Sequence, residues 1–249
     1  MRLLRSPALL GLVTIAAVAG LMELLVAWGA LPSYIFVRPS AVLLSIVGLF
    51  RDEELGWRLL QTLGATMAAA GLAAVSGVPI GWMIHRYRLF GEIFGNWLAA
   101  LAAAPFILLY PLFLAVFGRG EPTIIAMAYV AALVAISLKT REGLASVPTV
   151  LRAVGAGFRL TQMQFFWKIE FRSAVPAIFS GIHLALVFAL VNVVGIEFLI
   201  DYGGMGGLIA DLADRYEVPS MYAAILFVVL VSVLFFWATE RLERWLNPM

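Results

Sequence analysis

A chain of 249 residues that is 63% apolar and 13% charged, with a formal net charge of +2, is not built as a soluble globule, whose charged share is about 25%. A mean hydropathy of +0.99 leaves too little polar surface to cover a folded body in water, and it also excludes a disordered chain or a collagen-like fibre. No cysteine is present, which removes disulfides, thiolate metal sites and cysteine nucleophiles, and His85 and His183 stand too far apart in sequence for a metal-ligand motif.

A bilayer core of about 30 Å takes about 20 helical residues. In chain order, the first segment of that size is 7–35, interrupted by one charge, Glu23. Its apolar stretch exceeds the roughly 7–15 residues of a signal-peptide core, so residues 1–35 are expected to hold an uncleaved first span. Pro39–Phe50 is apolar but too short to cross and is expected to lie at the membrane surface, within an outer segment 36–58. Uncharged runs follow at 59–84, 93–118, 122–138, 173–196 and 218–239. Each is longer than the roughly 10 residues of a barrel strand and lacks alternation. The expectation is an all-α membrane protein with six transmembrane helices, the last five forming a core over 59–246.

Lys and Arg set the orientation. With the N-terminus inside, twelve cations face the cytoplasm (Arg2, Arg5, Arg86, Arg88, Lys139, Arg141, Arg152, Arg159, Lys168, Arg172, Arg241, Arg244) and five face outward (Arg38, Arg51, Arg58, Arg119, Arg215). Both termini are therefore expected in the cytoplasm.

The longest inner loop, 139–172, is too polar to enter lipid. Ser146-Val147-Pro148 reads as a helix start, with Ser146 as N-cap. Val150, Leu151, Val154 and Phe158 then fall on one face at helical spacing, with Arg152 and Arg159 on the other. Gly155 and Gly157 weaken this helix before a second short one near Thr161. The amphipathic piece could lie on headgroups, dock into a partner or simply connect two spans.

Polar residues within spans are costly and often functional. His183 and Glu197, fourteen positions apart, are expected on nearly one face of the fifth span, His183 toward the cytoplasm and Glu197 near the outer mouth, either lining a pathway or satisfied by packing. Asn192 points elsewhere and is expected to bond a neighbouring helix. Pro105 and Pro111 are expected to bend the third span, a break tolerated where a cavity or neighbouring helices satisfy the backbone, and Tyr110 beside them is a candidate solute contact. Glu23 reads as structural. Small residues at Ala68-Ala69-Ala70-Gly71 and from Ala99 to Ala104 permit close helix approach. Gly203-Gly204-Met205-Gly206-Gly207 could suggest a phosphate nest, but it lies outside and follows no strand, so it reads as a flexible re-entrant turn. Asp201, Asp211, Asp214 and Glu217 around Arg215 form either a solvated face or a docking surface. No G-x-x-x-x-G-K-[ST], G-x-S-x-G, H-E-x-x-H or EF-hand pattern occurs, so this chain has no phosphate cradle or recognisable catalytic motif of its own.

Several of these landmarks stand in a familiar order. Val37-Arg38-Pro39-Ser40, Thr62 with Gly77-Val78-Pro79-Ile80-Gly81, Pro105, Pro111, Phe117-Gly118-Arg119-Gly120-Glu121, Pro176 with Gly181, and Glu197 with Gly204-Met205-Gly206 resemble, over residues 35–246, the type I ABC importer permeases of the nitrate/sulfonate/taurine group. The inner loop resembles their coupling segment. That family's signature runs Glu-Ala-Ala, three residues, Gly, nine residues, Ile-x-Leu-Pro. Here Arg152-Ala153-Val154 stands at its start, eleven residues separate Gly157 from Ile169, and Arg172 replaces the proline. The resemblance implies a permease fold in a bacterial inner membrane, with Val150, Leu151, Arg152, Val154, Gly157, Phe158 and Arg159 meeting an ATPase. It further implies two ATPase copies carrying ATP and Mg, a second permease copy forming a homodimer, and a periplasmic solute-binding protein at the outer acidic loop. It implies no nucleic-acid partner and no cofactor on this chain. A lipid-modifying enzyme lacks its acidic or His motifs here, and a secondary transporter or channel lacks inverted repeats.

Overall fold

The computed structural model describes residues 7–32 and 35–246; Arg2 and Arg5, used above for orientation, lie outside them. Among the described residues no strand occurs. The chain runs α1 (Pro7–Ala27), α2 (Pro39–Asp52), α3 (Leu55–Arg86), α4 (Arg88–Ala103), a 3-10 turn (Phe106–Leu109), α5 (Tyr110–Phe117), α6 (Glu121–Ala145), α7 (Thr149–Gly157), α8 (Gln162–Phe165), a π turn (Phe166–Glu170), α9 (Phe171–Ile200), α10 (Gly204–Asp214) and α11 (Val218–Leu246). Five stretches are long and apolar enough to cross a membrane, and a sixth span exists if the bent pair α4–α5 is taken as one.

Three helices, α3, α6 and α9, form the centre. Each turns small residues inward at intervals of four: Ala65, Ala69 and Ala73 on α3, Ala128 and Ala132 on α6, Ala185 and Ala189 on α9, all buried. Between lipid-exposed helices there is no water to expel, so association rests on close van der Waals packing, which short side chains permit. Gly81 and Gly181 carry this further. A Cβ on Gly81 would strike the Ser137 carbonyl and the Thr140 side chain, and one on Gly181 would strike Lys139 of α6. Of the alanine run in α3, Ala69 and Ala70 therefore face the core while Ala68 and Gly71 face outward.

The rim is apolar on its outside. Leu10, Ile15, Leu44, Leu60, Val75, Leu89, Val116, Val233 and Leu234 are all more than half exposed, a distribution suited to lipid. Helix α1 packs on little but α2. Its Glu23 accepts hydrogen bonds from the Ser40 backbone N–H (3.1 Å) and hydroxyl (2.8 Å), so this acid satisfies the first turn of α2, which Pro39 begins. Helix α2 is more than a surface helix. Leu49 and Leu55 are buried with Met205, Leu208, Leu212, Ala223 and Ala224 of α10 and α11.

Two boundaries differ from expectation. The run 93–118 is not one straight span: the chain bends by 98° between α4 and the following 3-10 turn and α5. Pro105 lies at that break, whereas Pro111 occupies the first turn of α5, where its missing N–H costs nothing; only the first proline coincides with the bend. The inner loop is also shorter than 139–172, because α6 continues to Ala145 and an unbroken helical run begins at Gln162. Backbone hydrogen bonding favours extending helices past the lipid boundary once neighbours cover them, which hydropathy does not register.

Candidate functional site

Two clusters of side chains carry chemistry, one at each end of the bundle. On the arginine-rich end, α7 stands between α6 and the 162–200 helical run. Pro148, not Ser146, precedes its first residue; the Ser146 hydroxyl instead donates to the Gly143 carbonyl (2.8 Å) at the end of α6. The apolar residues expected on one face are there and uncovered: Val150 is 69% exposed and Phe158 77%, with Leu151 and Val154 also exposed. The opposite side packs inward. A Cβ on Gly155 would overlap the Phe165 ring, so this glycine lets α7 lie directly on α8. Gly157 closes α7 with nothing near it. Arg159 follows with φ of +50°, beyond the helix, so it does not share a helical face with Arg152. Arg152 itself points away from the apolar face, into a cavity behind α7.

The corner after α7 is firmly made. The Leu160 N–H donates to Gly155 O (3.1 Å). Thr161 and Gln164 form a reciprocal capping box, with Gln164 N–H to Thr161 Oγ1 at 3.3 Å and Thr161 N–H to Gln164 Oε1 at 3.1 Å. From there α8, the π turn and α9 run on without a loop. Phe166 packs on Trp82 of α3 (5.8 Å between ring centres), His85 faces Glu170 across 3.8 Å, and Arg86 donates to Gln162. Through α8, α7 is thereby tied to both α3 and α9.

The other end is organised by Glu197, which is 2% exposed. It lies at the end of α9 and accepts the Thr62 hydroxyl (2.8 Å) and the Gly206 N–H (3.0 Å). Thr62 Oγ1 in turn accepts the Met205 N–H (2.8 Å), and Gln61 Oε1 accepts the Gly204 N–H (3.1 Å). The N–H groups that the first turn of α10 cannot satisfy internally are thus met by α3 and α9. The glycine run is what allows this approach. Gly204 has φ of +58°, and a Cβ there would occupy the space of the Glu197 carboxylate; one on Gly206 would overlap the α9 backbone. Gly203–Gly207 is therefore the tightly held entry to a buried helix, not a flexible turn. Glu197 is buried and holds the start of α10 against α3 and α9.

The other expected pathway residues do not converge on it. Tyr110 packs, half-buried, against the α3–α6–α9 core. His183 meets the ring of Phe236 on α11 edge-on, 4.8 Å between centres. Asn192 Nδ2 donates to Phe188 O on its own helix (2.9 Å), not to a neighbour. The outer acids are largely engaged within the chain. Asp211 pairs with Arg58 (3.2 Å), Asp201 with Arg119 (3.0 Å), and Arg215 with Glu53 (2.7 Å). The hydrogen bond and charge of Glu53 raise the Arg215 guanidinium above its ordinary value. Arg119 also donates to the carbonyls of Ile200 (2.6 Å) and Asp201, closing the end of α9. Asp214 and Glu217 remain exposed. The sequence marks Thr62 as a landmark and Arg119 as a landmark and an outward cation; a hydroxyl near the start of a span and an arginine between two glycines are the only local signals of these contacts.

Residues 73–248 match the family described as "Binding-protein-dependent transport system inner membrane component". The chain belongs to this family. It is a membrane-spanning component of a binding-protein-dependent transport system, and the enzyme and secondary-transporter alternatives are not favoured. Among its relatives, the nitrate import permease of Synechocystis is 27% identical over 74% of this chain and 66% of its own length, so this chain spans just under two thirds of that relative. The osmoprotectant import permease of Salmonella typhimurium is 29% identical over 76% of this chain and 89% of its own. The permease fold is shared with an inward-facing methionine ABC transporter (TM-score 0.66, 20% identity, 78% of this chain and 96% of that one). An amino acid ABC transporter matches at TM-score 0.68, 11% identity, 81% of this chain and 96% of the other.

Proposed function

We propose that this permease delivers a small solute from a periplasmic binding protein to the cytoplasm, with both termini inside, and that two ATPase subunits bearing ATP and Mg drive two copies of it. The chain carries no phosphate-binding motif, so the energy enters through those partners. The observation that carries this reading is the apolar face of α7. Three exposed hydrophobic side chains on a nine-residue helix, with Phe158 at its C-terminal cap, stand at the end richest in Arg and Lys with no cover from the described residues. An ATPase cleft would cover Val150, Leu151, Val154 and Phe158 and leave Arg152 behind them. Closure of the ATPase pair then displaces α7, and the capping box and the Trp82–Phe166 contact pass the motion to α3 and α9. Tighter ATP binding to the closed pair supplies the bias that switches access.

Phe158→Asp tests the docking. Phe158 is so exposed that the substitution leaves insertion and folding intact, while a charge in the cleft cuts solute uptake by at least tenfold and uncouples it from ATP hydrolysis. Undiminished uptake by the variant removes the assignment of α7.

A further inference from the structure

Behind α7, on the side away from its apolar face, lies a cavity of about 660 Å³ enclosed by the last turn of α3, by α7 and by α8; its charged and aromatic lining includes Trp82, His85, Arg86, Tyr87, Arg152 and Glu170. Arg86 and Arg152 outweigh Glu170, which already faces His85. A second cavity of about 200 Å³ adjoins the first and shares Trp82 and Phe166 with it, and its lining is apolar apart from Thr140. It is bordered by Val78 and Pro79 of α3 and by Trp167, Phe171 and Ile178 along the π turn and α9. Val78 lies eight residues before Arg86 on one helix, about 12 Å deeper along its axis. A cationic chamber at the basic end therefore lies beside a largely hydrocarbon-lined cleft deeper along α3, with Trp82 and Phe166 bordering both and with Trp82 and Tyr87 in the chamber wall, where amphipathic rings favour the membrane interface.

That shape is complementary to an amphiphile, with an anionic head and at least one alkyl tail. We propose that the paired cavities hold a single anionic phospholipid, its phosphate between Arg86 and Arg152 and one acyl chain in the Val78–Ile178 cleft, so that a lipid wedges between α3 and the inner side of the coupling helix. The assignment commits to a membrane lipid and not to a soluble phosphate, because a free anion would leave the apolar cleft empty. Basic pockets between spans at the cytoplasmic leaflet are suited to such headgroups. The inference requires only that the chain spans a bilayer; it is independent of the α7–ATPase contact, since the lipid occupies the opposite side of that helix.

The test is native mass spectrometry of the full chain in detergent, titrated with phosphatidylglycerol and phosphatidylcholine of matched chains, and with glycerol 1-phosphate. The expected result is one phosphatidylglycerol per chain held about tenfold more tightly than phosphatidylcholine, as two arginines at a headgroup imply. Arg86→Gln with Arg152→Gln brings the two lipids to parity. Arg88→Gln, an exposed residue paired with Glu92 outside the cavity, leaves the preference unchanged. A second measurement needs no charge variant: brominated phosphatidylglycerol quenches tryptophan emission more than its phosphatidylcholine counterpart, and the difference disappears in the Trp82→Phe, Trp167→Phe chain. A preference that survives in the double Gln variant, equal quenching by both brominated lipids, or displacement of the lipid by an equal concentration of glycerol 1-phosphate overturns the proposal. Failure here leaves ATPase docking intact, which co-purification of the ATPase reads separately.

Discussion

Replacing Glu197 separates the two roles a buried acid in a membrane helix can have. In Glu197→Ala the Gly206 N–H loses its acceptor at 3.0 Å, and the Thr62 hydroxyl loses one at 2.8 Å. Thr62 can turn to the Arg58 carbonyl, 3.3 Å away on its own helix, but Gly206 N–H has no such recourse. One stranded buried donor costs about 1–3 kcal/mol, and the cavity left by the shortened side chain adds about 1–2 kcal/mol. The expected loss is about 2–5 kcal/mol, or about 5–15 °C in the unfolding midpoint of a chain this size. Glu197→Gln behaves differently. Its Oε1 accepts Gly206 N–H, its Nε2 donates to Thr62 Oγ1, and Thr62 sends its own proton to Arg58 O, so every partner is kept and the cost stays below about 1 kcal/mol. Tryptophan-monitored thermal unfolding in detergent distinguishes the two variants, and uptake should follow stability: retained in the Gln chain, reduced in the Ala chain. A Glu197→Ala chain as stable as the parent, or a Gln chain as damaged as the Ala chain, refutes the view that this carboxylate works by holding α10.

Other substitutions test neighbouring steps of the same reasoning. Gly206→Ala should destabilise by about as much as Glu197→Ala, because its Cβ meets the α9 backbone, whereas Gly20→Ala, open on all sides in α1, should leave the melting point unchanged or raise it slightly. Arg119→Ala should cost about 1–3 kcal/mol by freeing the carbonyls that end α9, and Arg119→Lys should recover little of it, since one ammonium cannot reproduce the fork; Arg215→Gln, which removes an exposed guanidinium from Glu53, should shift the same melt by less than Arg119→Ala does. Gly155→Leu should push α7 off Phe165, and vesicle uptake should fall at least tenfold while protease accessibility shows the chain still inserted. If uptake is unaffected, the α7–α8 contact does not transmit force.

Legibility followed the range of the interaction. The apolar face of α7 was readable because helical periodicity alone places Val150, Leu151, Val154 and Phe158 together, and none of the described residues covers them. The second helix start near Thr161 was readable from the glycines that weaken α7, while the capping box that fixes it is seen only in the structure. The roles of Glu197 and Asn192 were not. A period of 3.6 states which residues share a face but not what that face meets, so Glu197 could equally have faced a pathway or the start of α10. Asn192 found its acceptor four residues back on its own helix. The outer acids looked like a free surface because Arg58 lies 153 positions from Asp211, and Arg119 and Glu53 are likewise remote from their partners.

What the residues alone settle is the solvent and the class. A 63% apolar chain with charge gathered at the ends of long uncharged runs must fold in a bilayer as helices, since a backbone there needs internal hydrogen bonds and runs this long without alternation do not fit the strands of a closed barrel, and the exposed amphipathic connector follows from spacing. Tertiary structure alone decides which small residues touch, where the third span breaks, and that a buried acid and a glycine run, distant in role as read along the chain, form one joint. Those outcomes depend on distances between segments, set by packing all the helices at once, and no local pattern encodes them.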